Sequence, residues 1–299
     1  MYDYMVAVVQ AAPVFFDKGK TIKKIEERVS EAASKKARLI LFPEVFIPGY
    51  PRGLSFGTVV GGRSDEGRNL FLTYWQNAIE IPGPEIEALG KMAKKANAFL
   101  VIGVTEKDTV SDTLYCTLVY FSNTGQFLGK HRKIKPTAAE RILWGEGDGS
   151  DIRVFDTPYG KIGGLICWEN YMPLARMALY RQGLEIYLAP TADCRQSWQS
   201  TLEHIACEGR CYVLGCNQFL DKNHYPEYLQ KEIEGQPTLP CSGGSAIISP
   251  LGKTLAGPLY HEEGILYAHI DHDEIIKSKM DFDVIGHYSR PDIFEFKVK

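Results

Sequence analysis

The sequence has no long basic stretch. Its densest cationic cluster is Lys130, His131, Arg132, Lys133 and Lys135, and the formal net charge is -3. A nucleic-acid binder needs a positive stripe to meet the phosphates, so that class has no support. No apolar run approaches the ~18 residues of a membrane-spanning helix. The first residues, Met1-Tyr2-Asp3-Tyr4, lack the basic and apolar regions of an export signal, so the cytoplasm is the expected compartment. The cysteines are odd in number: Cys116, Cys167, Cys194, Cys207, Cys211, Cys216 and Cys241. An odd count without an export signal argues against a disulfide framework. Cys207 and Cys211 stand four apart on a helical pattern, but no second pair at ligand spacing follows, so helix packing accounts for them and no metal is expected. Short-period repeats, low-complexity segments and linkers are also missing. With 299 residues and 44% hydrophobic content, a single domain over 1–299 with one large core is expected.

What is present is an alternation of strands and helices. Residues 4–10 form a Val/Ala-rich strand. Residues 21–36 form an amphipathic helix with Ile22, Ile25 and Val29 on one face. Residues 38–42 form a buried strand closed by Pro43 and followed by Glu44. From 45 to 80 the chain is irregular and rich in Gly, Pro and aromatics, with helical character only near 69–79. Such a long irregular stretch suits a pocket wall or an interface. A helix over 85–97 and a strand over 99–104 follow. Strands over 114–121 and 126–130 flank the hairpin turn Ser122-Asn123-Thr124-Gly125. After an irregular region to 150, strands fall at 152–155, 161–166, 186–189, 212–216, 246–248, 254–255 and 264–270. Helices are expected from Met172 to a stop at Gly183, over 197–210 and over 272–280. Two halves, each with a hairpin and with helices on one side only, suggest helix, sheet, sheet, helix: an α/β, four-layer αββα sandwich.

Three residues stand just past the C-terminal ends of buried strands, where ligand sites of α/β sheets collect: Glu44, Lys133 and Cys167. Cys167 ends the stretch 161–166 and precedes helical spacing. A thiol there is held rigidly, faces a cleft and would have its pKa lowered by a helix N-terminus. A small cysteine that merely packs is the bland alternative, as a solvated carboxylate is for Glu44 and a surface charge for Lys133. Taken together the three are chemically coherent. A cysteine needs a base to become a thiolate, and a carboxylate serves. The anion formed by attack on a C≡N or C=O carbon needs a cation, and a lysine serves.

Phe42-Pro43-Glu44, His131-Arg132-Lys133 and Cys167-Trp168-Glu169-Asn170 resemble the Glu-Lys-Cys signature of the nitrilase (carbon-nitrogen hydrolase) superfamily. The resemblance extends through Pro48-Gly49-Tyr50-Pro51-Arg52-Gly53, Pro136-Thr137 and Glu140-Arg141 to Tyr288-Ser289-Arg290-Pro291-Asp292. Cys-Trp-Glu-Asn followed by Met172-Pro173 resembles the true nitrilase branch, whereas amidase and carbamoylase branches more often carry Asp two residues after the cysteine. The resemblance implies the αββα fold, Cys167 as nucleophile, Glu44 as general base and Lys133 as the charge that holds the intermediates. It also implies Glu140 as a second carboxylate orienting Lys133 or the substrate, and no metal or organic cofactor. Hydrolysis of an organic nitrile to the acid and ammonia follows, through a thioimidate and a thioester. Backbone N–H groups just after Cys167 would complete the anion site. Tyr50, Trp144, Trp168 and Glu169 are the candidate substrate contacts. With Phe56 and Trp198, these aromatics suit an aryl or arylalkyl nitrile, unless they belong to core or interface. The family resemblance implies a homodimer or larger homo-oligomer, while the short run after Pro291 argues against long filaments. An amidase or carbamoylase, a non-catalytic binding member and a Cys-His protease are the competing readings.

Overall fold

The computed structural model describes residues 2–299. In chain order its elements are β1 (Asp3–Gln10), α1 (Lys18–Ser34), β2 (Ala37–Leu41), α2 (Asp65–Asn77), α3 (Pro84–Ala96), β3 (Phe99–Lys107), β4 (Leu114–Phe121) and β5 (Phe127–Arg132). There follow β6 (Phe155–Thr157), β7 (Gly160–Gly164), α4 (Pro173–Tyr180), β8 (Ile186–Thr191), α5 (Ser197–Gly209), β9 (Tyr212–Asn217), β10 (Phe219–Leu220), β11 (Cys241–Ile248), β12 (Thr254–Tyr260), β13 (Gly264–Asp271) and α6 (His272–Ser278). No helix of the described residues is long and apolar enough to cross a membrane.

The strands form two mixed sheets, ordered β13-β1-β2-β3-β4-β5 and β10-β11-β9-β8-β7-β6, with β12 beside β11. Each has a parallel centre, β1-β2-β3 in one and β7-β8-β9 in the other. Strand alternation produces the layers. Val6, Val8, Leu39 and Leu41 of the first sheet meet Ile186, Leu188, Tyr212 and Leu214 of the second in one buried cluster. The intervening residues Ala7, Val9 and Ile40 face the other way, against Ile25 and Val29 of α1 and Leu89 of α3. Tyr187, Ala189 and Val213 likewise face Leu179 of α4 and Leu202 and Ile205 of α5. The result is the expected α/β sandwich.

Local sequence accounts for the element ends. The Asp17 side chain accepts the N–H of Lys20 at 2.9 Å to start α1, and Pro84 at the first turn of α3 needs no partner for its nitrogen. The stretch 45–80 is more ordered than its composition suggests. Ser64 caps α2 through Gly67 N–H at 3.0 Å, so the helix begins before residue 69, and Phe46, Phe56 and Tyr74 are buried in the core. Those aromatics are therefore not a free interface. β11 also starts earlier than expected, and β13 returns to pair antiparallel with β1, Val6 opposite Ala268.

Candidate active site

Glu44 sits where the chain leaves β2 and crosses the face of β3. A side chain at Gly103 would meet Pro43 O at 2.4 Å and Glu44 Cα at 2.7 Å, so only glycine allows this approach. Phe46 N–H donates to Gly103 O at 2.7 Å and Gly103 N–H to Pro43 O at 3.1 Å, which pins the Glu44 loop to β3. Lys133 follows β5, and its N–H still bonds Cys116 O of β4 at 2.8 Å. The Lys133 ammonium therefore points from a rigid strand end. It donates to Glu44 Oε1 at 2.7 Å and to Glu140 Oε2 at 2.7 Å, fully buried. Glu140 lies in the 3-10 turn Ala138–Ile142, where its Oε2 also accepts Thr137 N–H at 2.7 Å and its Oε1 accepts the Tyr50 hydroxyl at 2.7 Å.

The second sheet supplies the thiol. β7 ends at Gly164, and Cys167 opens a 3-10 turn, Cys167–Tyr171, before α4. Cys167 has φ +51°, a left-handed conformation that costs a non-glycine residue of order 1–3 kcal/mol. Asn170 Nδ2 holds the strained turn by donating to Cys167 O at 2.7 Å and Leu165 O at 2.9 Å. Thr191, the last residue of β8, donates its hydroxyl to Cys167 Sγ at 3.1 Å.

Burial governs the electrostatics. It pushes the Cys167 thiol up to about 12, with the Glu44 charge adding to the shift and Lys133 opposing it. The expectation that a helix N-terminus would lower this pKa is thus overturned: desolvation outweighs a single 3-10 turn. Burial also raises Glu44, against the pull of Lys133, and the second carboxylate of Glu140 raises it further. Burial alone would lower Lys133, but Glu44, the thiols and Glu140 hold it well above the ordinary lysine value. Burial thus favours the neutral thiol at Cys167, beside the Glu44 side chain and the Lys133 ammonium. Glu44 Oε2 has no hydrogen-bond partner among the described residues, which leaves a lone pair free for a proton.

The structure therefore brings Glu44, Lys133, Glu140 and Cys167 together across the join of the two sheets. Cys167 opens into a cavity of about 200 Å³ walled by Tyr50, Arg52, Glu140, Trp168, Asp193 and Arg195. Trp168 is 41% exposed at its rim. Its indole N–H donates to Asp193 Oδ2 at 2.9 Å and the Arg195 guanidinium covers its ring at 4.9 Å. Trp144 packs against Tyr50 in a tilted pair, ring centres 5.7 Å apart, and with Phe56 lines a neighbouring cavity of about 290 Å³ that shares Tyr50, Arg52 and Glu140. Trp198, on α5, belongs to the core between that helix and the second sheet.

Glu169, expected to contact the substrate, does not line the cavity. It is buried, and its oxygens accept Ile134 N–H and Ile166 N–H, each at 2.6 Å, and lie 3.1 and 3.0 Å from His131 Nε2. Its position two residues past Cys167 turns it inward. Thr191 and His131 were not among the sequence candidates. Thr191 was accessible to the same strand-end argument, since β8 runs parallel beside β7. His131 stands two residues before Lys133 on one strand. The seven cysteines are free, and the described residues hold no cluster of three or more His, Cys, Asp or Glu side chains suited to a metal ion.

Residues 5–280 match the family model for carbon-nitrogen hydrolase. The chain is 54% identical to Nitrilase 3 of Arabidopsis thaliana over 300 residues, covering 98% of this chain and 86% of that one. It is 52% identical to a bifunctional nitrilase/nitrile hydratase of Nicotiana tabacum over 298 residues, covering 98% and 85%. Among solved structures, a nitrilase-superfamily protein of Saccharomyces cerevisiae has the same fold, with TM-score 0.76, 22% identity and 96% of each chain covered.

Proposed function

The chain belongs to the carbon-nitrogen hydrolase family, and from that premise we propose that it hydrolyses an organic nitrile to the carboxylic acid and ammonia with Cys167, Glu44, Lys133 and Glu140. The observation that carries the assignment of residues is Lys133 Nζ, bonded to both Glu44 and Glu140 at 2.7 Å beside the Cys167 cavity. Its relatives named as nitrilases, at about half identity over nearly the whole chain, support the reaction.

The thiol pKa of about 12 means that no thiolate stands ready. Glu44 takes the proton as sulfur attacks the nitrile carbon, and its raised pKa makes it the stronger base. Lys133 lies where negative charge develops on nitrogen and then on oxygen, a preorganised donor in a dry site. Glu140 holds Lys133 from the far side and Tyr50 holds Glu140. The thioimidate adds water, ammonia leaves and a thioester remains. A second water, deprotonated by Glu44, releases the acid and restores the thiol.

The rings of Trp168 and Tyr50 at the cavity support an aromatic or arylaliphatic substituent on the nitrile. The exposed Trp168, Tyr171, Met172 and Leu174 next to the site form an apolar patch that supports a homodimer or larger homo-oligomer. The free cysteines accord with a reducing compartment such as the cytoplasm. The core shared by both sheets accords with a single domain. Ammonia release from propionitrile, benzonitrile and phenylacetonitrile tests the reaction. Activity on at least one, lost in Cys167→Ala, is the expected result; release from carboxamides alone would assign an amidase. A monomeric mass by light scattering at micromolar concentration would refute the oligomer.

A further inference from the structure

The amides on both sides of Lys133 and the amide before Cys167 are held by two carboxylates that share one imidazole. Glu169 Oε1 accepts Ile134 N–H and its Oε2 accepts Ile166 N–H, each at 2.6 Å. Asp151 Oδ2 accepts Arg132 N–H at 2.8 Å. His131 lies between them, its Nδ1 2.8 Å from Asp151 Oδ1 and its Nε2 3.0 Å from Glu169 Oε2. His131 and Glu169 are buried. The cation comes from the first sheet and the nucleophile from the second, so their spacing is not set by any one strand ladder. The Glu169 carboxylate is a direct link between the two strand ends.

We infer that Glu169, through His131 and Asp151, is a positioning residue that sets Lys133 against Cys167 and thereby decides whether the intermediate ends as acid or as amide. This rests on the nitrile reading above. Water addition to the thioimidate gives a carbon bearing sulfur, hydroxyl, amine and the substituent. If Glu44 carries the hydroxyl's proton to the amine, the C–N bond breaks, ammonia leaves and the thioester carbonyl forms. If the C–S bond breaks instead, Glu44 carries the hydroxyl's proton to the departing sulfur, the amide leaves and the resting thiol is restored. Both routes balance, and geometry selects between them. With the ammonium and Glu44 aligned on the nitrogen side, amine protonation is favoured. A displaced Lys133, which is hydrogen-bonded to Glu44, carries that alignment away from the nitrogen.

The test measures acid, amide and ammonia from whichever nitrile of the panel above the folded wild type turns over fastest. Glu169→Gln keeps the volume but cannot accept two N–H groups as the carboxylate does. Asp151→Asn perturbs the same link from its far end and serves if Glu169→Gln does not fold. Either variant is expected to lower kcat by up to about 10²-fold, as ångström-scale misplacement does. KM should be little changed and the amide share should rise several-fold. A folded variant with lower kcat and a wild-type acid-to-amide ratio would overturn the inference and leave Glu169 a structural carboxylate. A wild type that releases ammonia from no nitrile would instead remove the reading on which it rests.

Discussion

The first sheet delivers charge to the site and the second delivers the nucleophile, and the two are held by different means. Glu44, Lys133 and Glu140 are locked to one another by side-chain hydrogen bonds of 2.7 Å, with Glu44 and Lys133 fully buried and Glu140 at the cavity wall. Cys167 has one side-chain bond to its sulfur, from Thr191, and is held instead by its backbone, at φ +51° under the grip of Asn170. Charges must be neutralised pairwise to be buried at all, so the first half of the site is assembled before any substrate arrives. A thiol is neutral and needs only direction, so strain in the turn suffices. The polar half is thus sensitive to shape and charge together, and the sulfur half to chemistry alone.

Removing the chemistry should have the largest effect. Cys167→Ser keeps the turn and the Thr191 contact but replaces sulfur with a far weaker nucleophile. The loss of kcat should exceed about 10⁴-fold, since removing a nucleophile can cost ~10⁶, while circular dichroism and melting stay near wild type. A folded Cys167→Ser protein with normal ammonia release would sink the assignment.

Changing shape at constant charge tests the other half. The Lys133 side chain is fully buried, its ammonium bonded to both Glu44 and Glu140. A planar guanidinium cannot occupy that position as a compact ammonium does. Lys133→Arg should therefore fail almost as badly as Lys133→Ala, by roughly 10²–10³ in rate. Lys135 is 51% exposed and paired with the equally exposed Glu146, so Lys135→Ala should leave turnover near normal. A near-normal Lys133→Arg, or a heavier loss in Lys135→Ala, would mean the wrong lysine or the wrong role.

A smaller effect comes from pH. Glu44 must be ionised to accept a proton, and burial with Glu140 holds its pKa above the usual carboxylate range. The rate should therefore fall as pH drops through a value higher than the ~4.3 of a free glutamate. Glu140→Gln removes one cause of that shift, so the acid limb of kcat/KM should move to lower pH whatever happens to its height. An acid limb at or below the free-glutamate value in wild type would contradict the assigned base.

The smallest effect concerns stability. Burial tends to lower the His131 pKa, but Glu169 and Asp151 raise it to about 10. A folded pKa above the unfolded value of ~6.5 stabilises the charged, folded form. That contribution is complete below about pH 6.5 and is lost as pH rises through about 10. Urea midpoints between pH 6.5 and 10 should fall more steeply in wild type than in His131→Gln. Parallel curves would show that the imidazole is not held charged.

Some of this was readable in the chain and some was not. Two halves, each with strands, a hairpin and helices on one side, already suggested the sandwich, and the structure divides apolar runs such as Val6-Ala7-Val8-Val9 between its two covered faces. Glu44, Lys133 and Cys167 were readable because each lies within a few residues of a strand whose end the local pattern marks. Glu169 shows the limit. It lies in the same short motif as Cys167, yet its carboxylate faces His131, 38 residues away, and not the cavity. The Tyr50 bond to Glu140 spans 90 residues, and β13 closes the first sheet against β1 from the far end of the chain. The direction of the thiol pKa was misread for the same reason: a helix terminus is visible locally, but desolvation is the sum of everything packed around the sulfur. Local spacing determined which side chains stand at strand ends. Only the packing of one sheet on the other decided which of them meet, and how far water is kept from them.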